Sequence, residues 1–478
     1  VAIMLSLIYK EKDSFSSCSF FFLTKMSENN ENERLPLDPL PLDQSETPTL
    51  ITNSGFSVPD GGFRPNFDVD TGDIPSSRST VSLCDMIWIM FSILMHLVDL
   101  FVDFNLIRDY VMREKYYEVS WTCLFLFMPS LINICISIQM IKQDRQSNQE
   151  DEESRNNWSS LIVFPYYWPF ILIFQLAPLF HHMDNWNFAR NSYRAGKNDD
   201  QANQKKYYLK MLKEEEDIAL LRVLECFLEA APHIVLQLVI MMTDYESNLH
   251  VNFQFLHQTL SILSSFVGMG WAMSSYHRSI RKVQWDKENI SLVGNWLQFF
   301  WHLCITISRG IAIAATATVI PLSTCIAMVI HWLLMTIWII SDSSGIDEFC
   351  RDRRKPPHAI TSTTENLKSY LLAGVFGIVH IFTYFNLSEG PTYWKHIIYY
   401  SLCSGENLIA TFSWIYFRDS NQIKLWYNEF VPVICIVPFA IGIVIMVIYY
   451  KWYHPRRKNA INEIYQRTED ANDRNLTT

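Results

Sequence analysis

Charge is scarce in this sequence, and the signatures of catalysis are missing from it. Only 18% of the 478 residues are charged, against 49% hydrophobic and 14% aromatic. The ten cysteines form no C-x-x-C pair and no Cys/His cluster at metal-ligand spacing, so no metal site and no redox dithiol is indicated. No Walker loop, G-x-S-x-G or H-E-x-x-H is present, so nothing points to an enzyme or a cofactor. The 39 basic and 49 acidic residues leave a net charge of −10. A nucleic-acid binder needs a basic face, and an acidic tail on a hydrophobic body offers none.

That acidic tail is residues 26–80, where ten acids face three bases and most of the net charge resides. The stretch carries Pro, Asp, Ser and Thr with scattered hydrophobes and no helical period. It cannot bury enough apolar surface to offset ordering entropy and is expected to be a disordered cytosolic tail. Before it, residues 1–25 lead up to Met26-Ser27-Glu28-Asn29, which reads like a natural start; they are expected to be upstream translation. A signal peptide is the rival reading, but Lys10, Glu11, Lys12 and Asp13 interrupt its apolar region and no small-x-small site follows.

From residue 81 the character changes. Apolar stretches follow at 84–107, 119–141, 159–180, 218–242, 252–274, 295–320, 322–341, 366–386, 394–417 and 431–451. Each is close to the roughly 20 residues a helix needs to cross the hydrocarbon. The fold expected is an all-α polytopic membrane protein over 81–455, with a short cytosolic tail at 456–478.

The Lys/Arg rule tests whether every stretch crosses. With a cytosolic N-terminal tail and ten crossings, the basic loops 181–217, 275–294 and 342–365 all fall outside, which inverts the rule. If 159–180 dips in and returns, all three become cytosolic. Its Pro165, Pro169 and Pro178 suit a broken segment. A second dip, placed at 394–417, keeps the basic end at Lys451, Arg456, Arg457 and Lys458 inside. About eight transmembrane helices plus two re-entrant half-helices result, with both termini cytosolic. In this topology Cys325 and Cys403 both lie near the outer leaflet and could pair, although unpaired core thiols are the favoured reading.

Ionisable residues interrupt the apolar stretches. The first carries Asp85, His96, Asp99 and Asp103, with the three acids along one stripe of a helix. In 218–242, Arg222, Glu225, Glu229, His233 and Gln237 fall within an arc of about 120° on a regular helix. Arg222 and Glu225, three apart, can pair there, and Pro232 breaks a backbone bond in the stripe. His302 and Arg309 share a face of 295–320, and Glu406 lies in 394–417. Such groups cost several kcal/mol each at mid-membrane unless paired or hydrated, so they face the protein interior. They are either structural glue, for instance Asp99 and Asp103 with Arg222 or Arg309, or a polar track along which an ion, proton or headgroup crosses. The two readings are compatible.

The string LLRVLECFLEAAPHIVLQLVI at 220–240 resembles the most distinctive motif of the XK-related membrane proteins. WAMSSYHRSIRKVQWDKENIS (271–291) is similar to that family's cytosolic loop, and WHLCITISRGIAIA (301–314) to its Arg-bearing helix. FNLSEGPTYWKHIIYYSLCSGENLIATFSW (385–414) and YYKWYHP (449–455) resemble its closing segments. His233 departs from the Gln usual after that proline. The resemblance implies eight spanning helices with two half-helices, residence in the plasma membrane and, for some members, a single-span immunoglobulin-type chaperone. For activated members it implies energy-independent scrambling of phospholipids that exposes phosphatidylserine in apoptosis. It links scrambling to buried polar residues matching Asp99, Asp103, Arg222, Glu225, Glu229 and Arg309. Members without demonstrated scrambling also exist.

Scramblase members of the family are switched on by a caspase in a cytosolic tail. Such a site needs an Asp that docks on arginines, within extended chain. Asp70-Thr71-Gly72-Asp73 has the D-x-x-D form, and Asp470-Ala471-Asn472-Asp473 repeats it; chance matches are common in acidic tails. Asp73 is the stronger candidate and Asp473 the weaker. The expected function is a phospholipid scramblase switched on by cleavage of the N-terminal tail. The alternative is a non-scrambling subunit of another membrane protein. An ion or solute transporter ranks third, since no inverted repeat is evident, and an enzyme last.

Overall fold

The computed structural model describes residues 80–112, 114, 116–147, 157–243, 253–283, 289–342, 344–351, 362–386, 393–418 and 426–454. All belong to one of the chain's two compact units; the other is Ser6–Thr71. Asp73, Asp473 and both expected tails lie outside the described residues.

The described residues are helical. Helices α1 (Leu83–Met112) and α2 (Tyr116–Ser147) come first, then 3-10 turns at Trp158–Val163 and Pro165–Tyr167 and a short α3 (Trp168–Ile173). Next are α4 (Leu176–Lys197), α5 (Gln201–Glu225), a π turn at Cys226–Ala230, and α6 (Ala231–Thr243). Then come α7 (Phe253–Val283), α8 (Leu292–Val319), α9 (Pro321–Ser341) and α10 (Ser344–Cys350). Finally α11 (Thr363–Phe382), α12 (Tyr393–Phe417) and α13 (Phe430–Ile448) lead into a π turn, Tyr449–Tyr453. Among the described residues, Val119–Arg145, Gln201–Thr243, Leu292–Val319, Pro321–Ser341 and Phe430–Tyr453 are long and apolar enough to cross a membrane. Their outer faces carry large apolar side chains such as Leu322, Ile326, Ile337 and Val444. In a water-soluble bundle those faces would be polar, so this is a multi-pass membrane protein.

Helix α8 is the axis of the bundle, with seventeen of its 28 residues buried. Ser291 caps it, its hydroxyl accepting from Gly294 N at 3.1 Å. Pro321 starts α9 at a position where its missing N–H costs nothing. Helix α12 runs beside α8 along its length. Trp301 Nε1 donates to Tyr400 Oη at 3.0 Å, Arg309 reaches Glu406 at 2.7 Å, and Trp414 packs with Ala312 and Ala315.

Two segments enter the bundle and turn back. The first begins beside α4, where Asp184 accepts the Trp158 and Ser159 amides at 2.8 Å each. It turns at Gln175, in the left-handed conformation (φ 47°), and returns down α4. From Asp184 to Leu176 the helix rises about 12 Å, which is the depth of the excursion. The second is α11. Trp332 Nε1 donates to Gly374 O at 2.8 Å, and His331 lies 3.1 Å from His380 O. Lys395, at the start of α12, then pairs with Asp342 past the end of α9. Between His380 and Lys395 the chain has regained about 16 Å of α9's length. Segment 363–386 thus follows α9 inward and back, and the stretch 394–417 that the sequence reading expected to dip is one helix, Tyr393–Phe417. Helix α12 is continuous because its contacts to α8 continue to its far end, something charge counting could not register.

Of the regions read as basic loops, 181–217 is fully described and is helical on both sides of a short turn. Asp200 caps α5, its Oδ1 accepting Asn203 N at 3.1 Å, so 181–217 is a helical hairpin. Cys325 and Cys403 are buried thiols, not a disulfide. Cys403 sits with His331, and Cys325 lies six residues, about 9 Å, further along α9; bridged Cα atoms need less than about 7 Å.

Glycine marks a close helix approach. A Cβ on Gly442 of α13 would lie 3.0 Å from Ile305 Cδ1 and 3.2 Å from Trp301 O, whereas one on Gly405 meets nothing within 4 Å. Gly442→Ala is expected to lower the melting temperature in detergent, at a cost of about 1–3 kcal/mol. Gly405→Ala is expected to raise it or leave it unchanged, since Ala is the better helix former by up to about 1 kcal/mol.

Candidate functional site

Arg309 is 2% exposed, and its guanidinium has a partner on each nitrogen. Nε donates to Ile381 O at 3.1 Å, Nη1 to Asn407 Oδ1 at 3.0 Å and Nη2 to Glu406 Oε2 at 2.7 Å. The other carboxylate oxygen of Glu406 lies 2.7 Å from His331 Nδ1, and His331 Nε2 lies 3.1 Å from His380 O. Tyr399 Oη donates to the same His380 carbonyl at 2.6 Å. His380 and Ile381 are among the last carbonyls of α11, which have no partner within their own helix. That end of a helix also carries partial negative charge and favours a cation. Asn407 Nδ2 donates to Ser308 Oγ at 2.9 Å, and Ser308 bonds the carbonyl of Cys435. One ionic centre thus ties α8, α9, α11, α12 and α13 together.

A second centre lies where α1, α4 and α5 meet. Arg222 Nη1 donates to Glu225 Oε2 at 3.1 Å. Glu225 Oε1 is 3.9 Å from His96 Nδ1, and His96 Nε2 is 3.3 Å from Gln175 O at the first turn-back. Each returning segment therefore places a backbone carbonyl at its tip against a basic side chain: His96 at the first, Arg309 at the second. The end of α8 that precedes Arg309 adds a ring cluster. His302 Nδ1 is 2.8 Å from Thr383 Oγ1, and its ring stacks on His277 at 5.7 Å.

A π turn interrupts 218–242. It has Ala231 N–H donating to Cys226 O, one residue wider than an α turn. It precedes Pro232, whose ring would clash with the carbonyl four residues earlier in a regular helix. The extra residue turns the positions after it back by about 100°, which leaves His233 and Gln237 on the side of Glu225. His233 also meets Phe125 edge-on at 6.4 Å. Asp85 closes the start of α1: its Oδ2 accepts the amide and the hydroxyl of Ser82 at 2.9 Å each. Arg309 is paired with Glu406; the side chains of Asp99 and Asp103 lie outside the described residues.

The sequence reading missed His331, Asn407 and the α11 carbonyls. His331 stands alone in an apolar stretch, and its place beside Glu406 depends on the α9–α12 approach. His331, Cys403 and Glu406 have metal-ligand spacing, but Arg309 already holds Glu406 there, and a guanidinium beside the carboxylate repels a cation.

A multi-pass helical bundle with ionic centres at two returning segments defines a class of membrane protein. The XK-related protein family matches residues 87–455, and this chain belongs to it. It is similar to Cell death abnormality protein 8 of Caenorhabditis elegans, 26% identical over 398 residues that cover 81% of each chain. To the Caenorhabditis briggsae protein of the same name it is 24% identical over 387 residues, covering 78% of this chain and 79% of that one.

Removing Arg309 strands a carboxylate in an apolar bundle, which costs about 3–5 kcal/mol when burial is deep. Arg309→Gln is expected to lower the melting temperature in detergent strongly. The double variant Arg309→Gln/Glu406→Gln is expected to recover at least half of the loss, because no unpaired charge remains.

Proposed function

We propose that the chain is a plasma-membrane phospholipid scramblase that exposes phosphatidylserine during apoptosis. The observation that carries the reading is the unequal exposure within the ionic centres. The side chains of Arg222 and Glu406 are 42% and 31% accessible. Their partners Glu225, Arg309 and His331 are 15%, 3% and 1% accessible. Paired charges of which one partner stays accessible offer a headgroup a cation for its phosphate at Arg222 and a carboxylate for its amine at Glu406, while acyl chains stay in lipid. Family membership and the cell-death names of the relatives support the same reading.

In this proposal the membrane is crossed by α1, α2, the α5–α6 rod, α7, α8, α9, α12 and α13. The segments 158–176 and 363–386 are re-entrant, and both termini are cytosolic. The acidic tail holds an inactive state, and a caspase cut after Asp73 releases it, with Asp473 the secondary site. A single-span immunoglobulin-type chaperone escorts the chain, and no covalent chemistry is involved. One observation favours the alternative of a non-scrambling subunit: every nitrogen of Arg309 already has a partner, as structural glue requires.

Fluorescent-lipid scrambling in cells without endogenous apoptotic scramblases separates these. The chain from Met26 is compared with one starting at Ile74, with surface expression checked for both. Scrambling by the shorter chain alone is the expected result. Scrambling by both makes the activity constitutive, and by neither removes the lipid-transport reading.

A further inference from the structure

Away from both ionic centres, α4 and α5 bring three ionisable side chains together. His181 Nδ1 lies 2.9 Å from Glu214 Oε2. His181, Glu214 and Asp217 each offer a ligand atom, all within 4.8 Å of one another. His181 is 1% exposed and Glu214 8%. Glu214 and Asp217, three apart on α5, share a face.

The neighbouring charges are already engaged. Both oxygens of Asp184 hold the Trp158 and Ser159 amides, and Lys213 is paired with Asp144. One imidazole is left facing two carboxylates. If it is neutral, two negative charges go uncompensated; if it is protonated, one does. A single divalent cation beside a neutral imidazole balances the set.

A separate observation points the same way. His181 Nε2 and Asn185 Oδ1 are buried, and neither finds a hydrogen-bond partner among the described residues. Asn185 is 3% exposed and stands one turn beyond His181 on the same face of α4. Orphaned polar atoms are rare in native interiors and call for an unseen partner. An amide oxygen is among the donors that join carboxylates around a cation.

We propose that His181, Glu214 and Asp217, with Asn185 Oδ1 alongside, bind a divalent transition-metal ion that fastens α4 to α5. One imidazole nitrogen among oxygen donors suits Zn2+ or Mn2+, whereas Mg2+ prefers oxygen donors and keeps its waters. The α4–α5 hairpin holds Arg222 and Glu225 at its far end, so the ion sets the rigidity of the helix that carries them.

The test uses the full chain, purified in detergent, stripped with a chelator and titrated in separate runs with Zn2+, Mn2+ and Mg2+. Bound metal is counted by mass spectrometry, and thermal unfolding is followed in parallel. The expected result is one Mn2+ or Zn2+ per chain and a higher melting temperature. Asp217→Asn and His181→Gln are expected to weaken binding roughly tenfold or more and to abolish the melting shift. Asp200→Asn, at the exposed cap of α5, is expected to leave both unchanged. Thiols also bind Zn2+, so the Mn2+ run and the Asp217→Asn comparison decide. Asp217→Asn keeps the side chain's shape and carries the test if His181→Gln does not fold. Absence of stoichiometric binding, binding that survives Asp217→Asn, or Mg2+ bound as tightly as Mn2+ would overturn the proposal. Lipid transport is not read in any arm, so the outcome is independent of the scrambling proposal.

Discussion

A guanidinium inside an apolar bundle is the constraint to which the rest of the structure answers. Arg309 cannot be neutralised at any ordinary pH. Its donors lie in a fixed planar fork, so partners must come to it from defined directions. They come from the end of α11 and from two consecutive residues of α12, and Glu406 then passes the contact on to His331 of α9. A lysine at this position would satisfy the charge but could not set three helices at fixed angles around one point. The buried Trp301 and Ile305, two turns and one turn before it, pack the remaining space with Phe439 and Tyr449.

The same constraint explains why the two returning segments are tolerated. A helix that stops inside a membrane protein exposes carbonyls to surroundings with no water to bond them. At the end of α11 those carbonyls are taken by Arg309, His331 and Tyr399. At the first turn-back, His96 takes Gln175 O and Ser130 Oγ lies 3.4 Å from Leu172 O. Ionisable residues and broken segments are thus two halves of one arrangement. Each charge requires a dipole, and each broken helix end supplies one.

How much of this was legible depended on the range of the interaction. The helical class, the apolar stretches and the family were readable, because periodicity, length and motif are local. Arg222 and Glu225 could be seen as a pair because three residues of helix set their distance. Beyond them the detail was hidden, because the π turn before Pro232 adds a residue that no spacing rule counts. Asp85 was visible as an acid of the first helix, and Ser82, three residues before it, holds it at that helix's start. Arg309's partner lies almost a hundred residues away, and several acids were equally good candidates by charge alone. Which segment turned back was likewise a tertiary fact, set by Lys395 meeting Asp342.

What separates glue from a path is whether the ions must remain paired with one another. A phosphate can replace Glu225 at Arg222, and an amine can replace Arg222 at Glu225, so a zwitterionic headgroup compensates both charges as it parts them. Arg309 differs, because one of its three partners is a backbone carbonyl that cannot leave without moving the end of α11, and another is a side-chain amide that Ser308 holds in place. In the proposed transport the first centre therefore exchanges partners, and the second is the fixed wall against which it moves. The greater exposure of Arg222 and the near-complete enclosure of Arg309 follow that division. A bundle with both centres enclosed would be rigid, and one with both open would have no fixed side to hold the lipid path in shape.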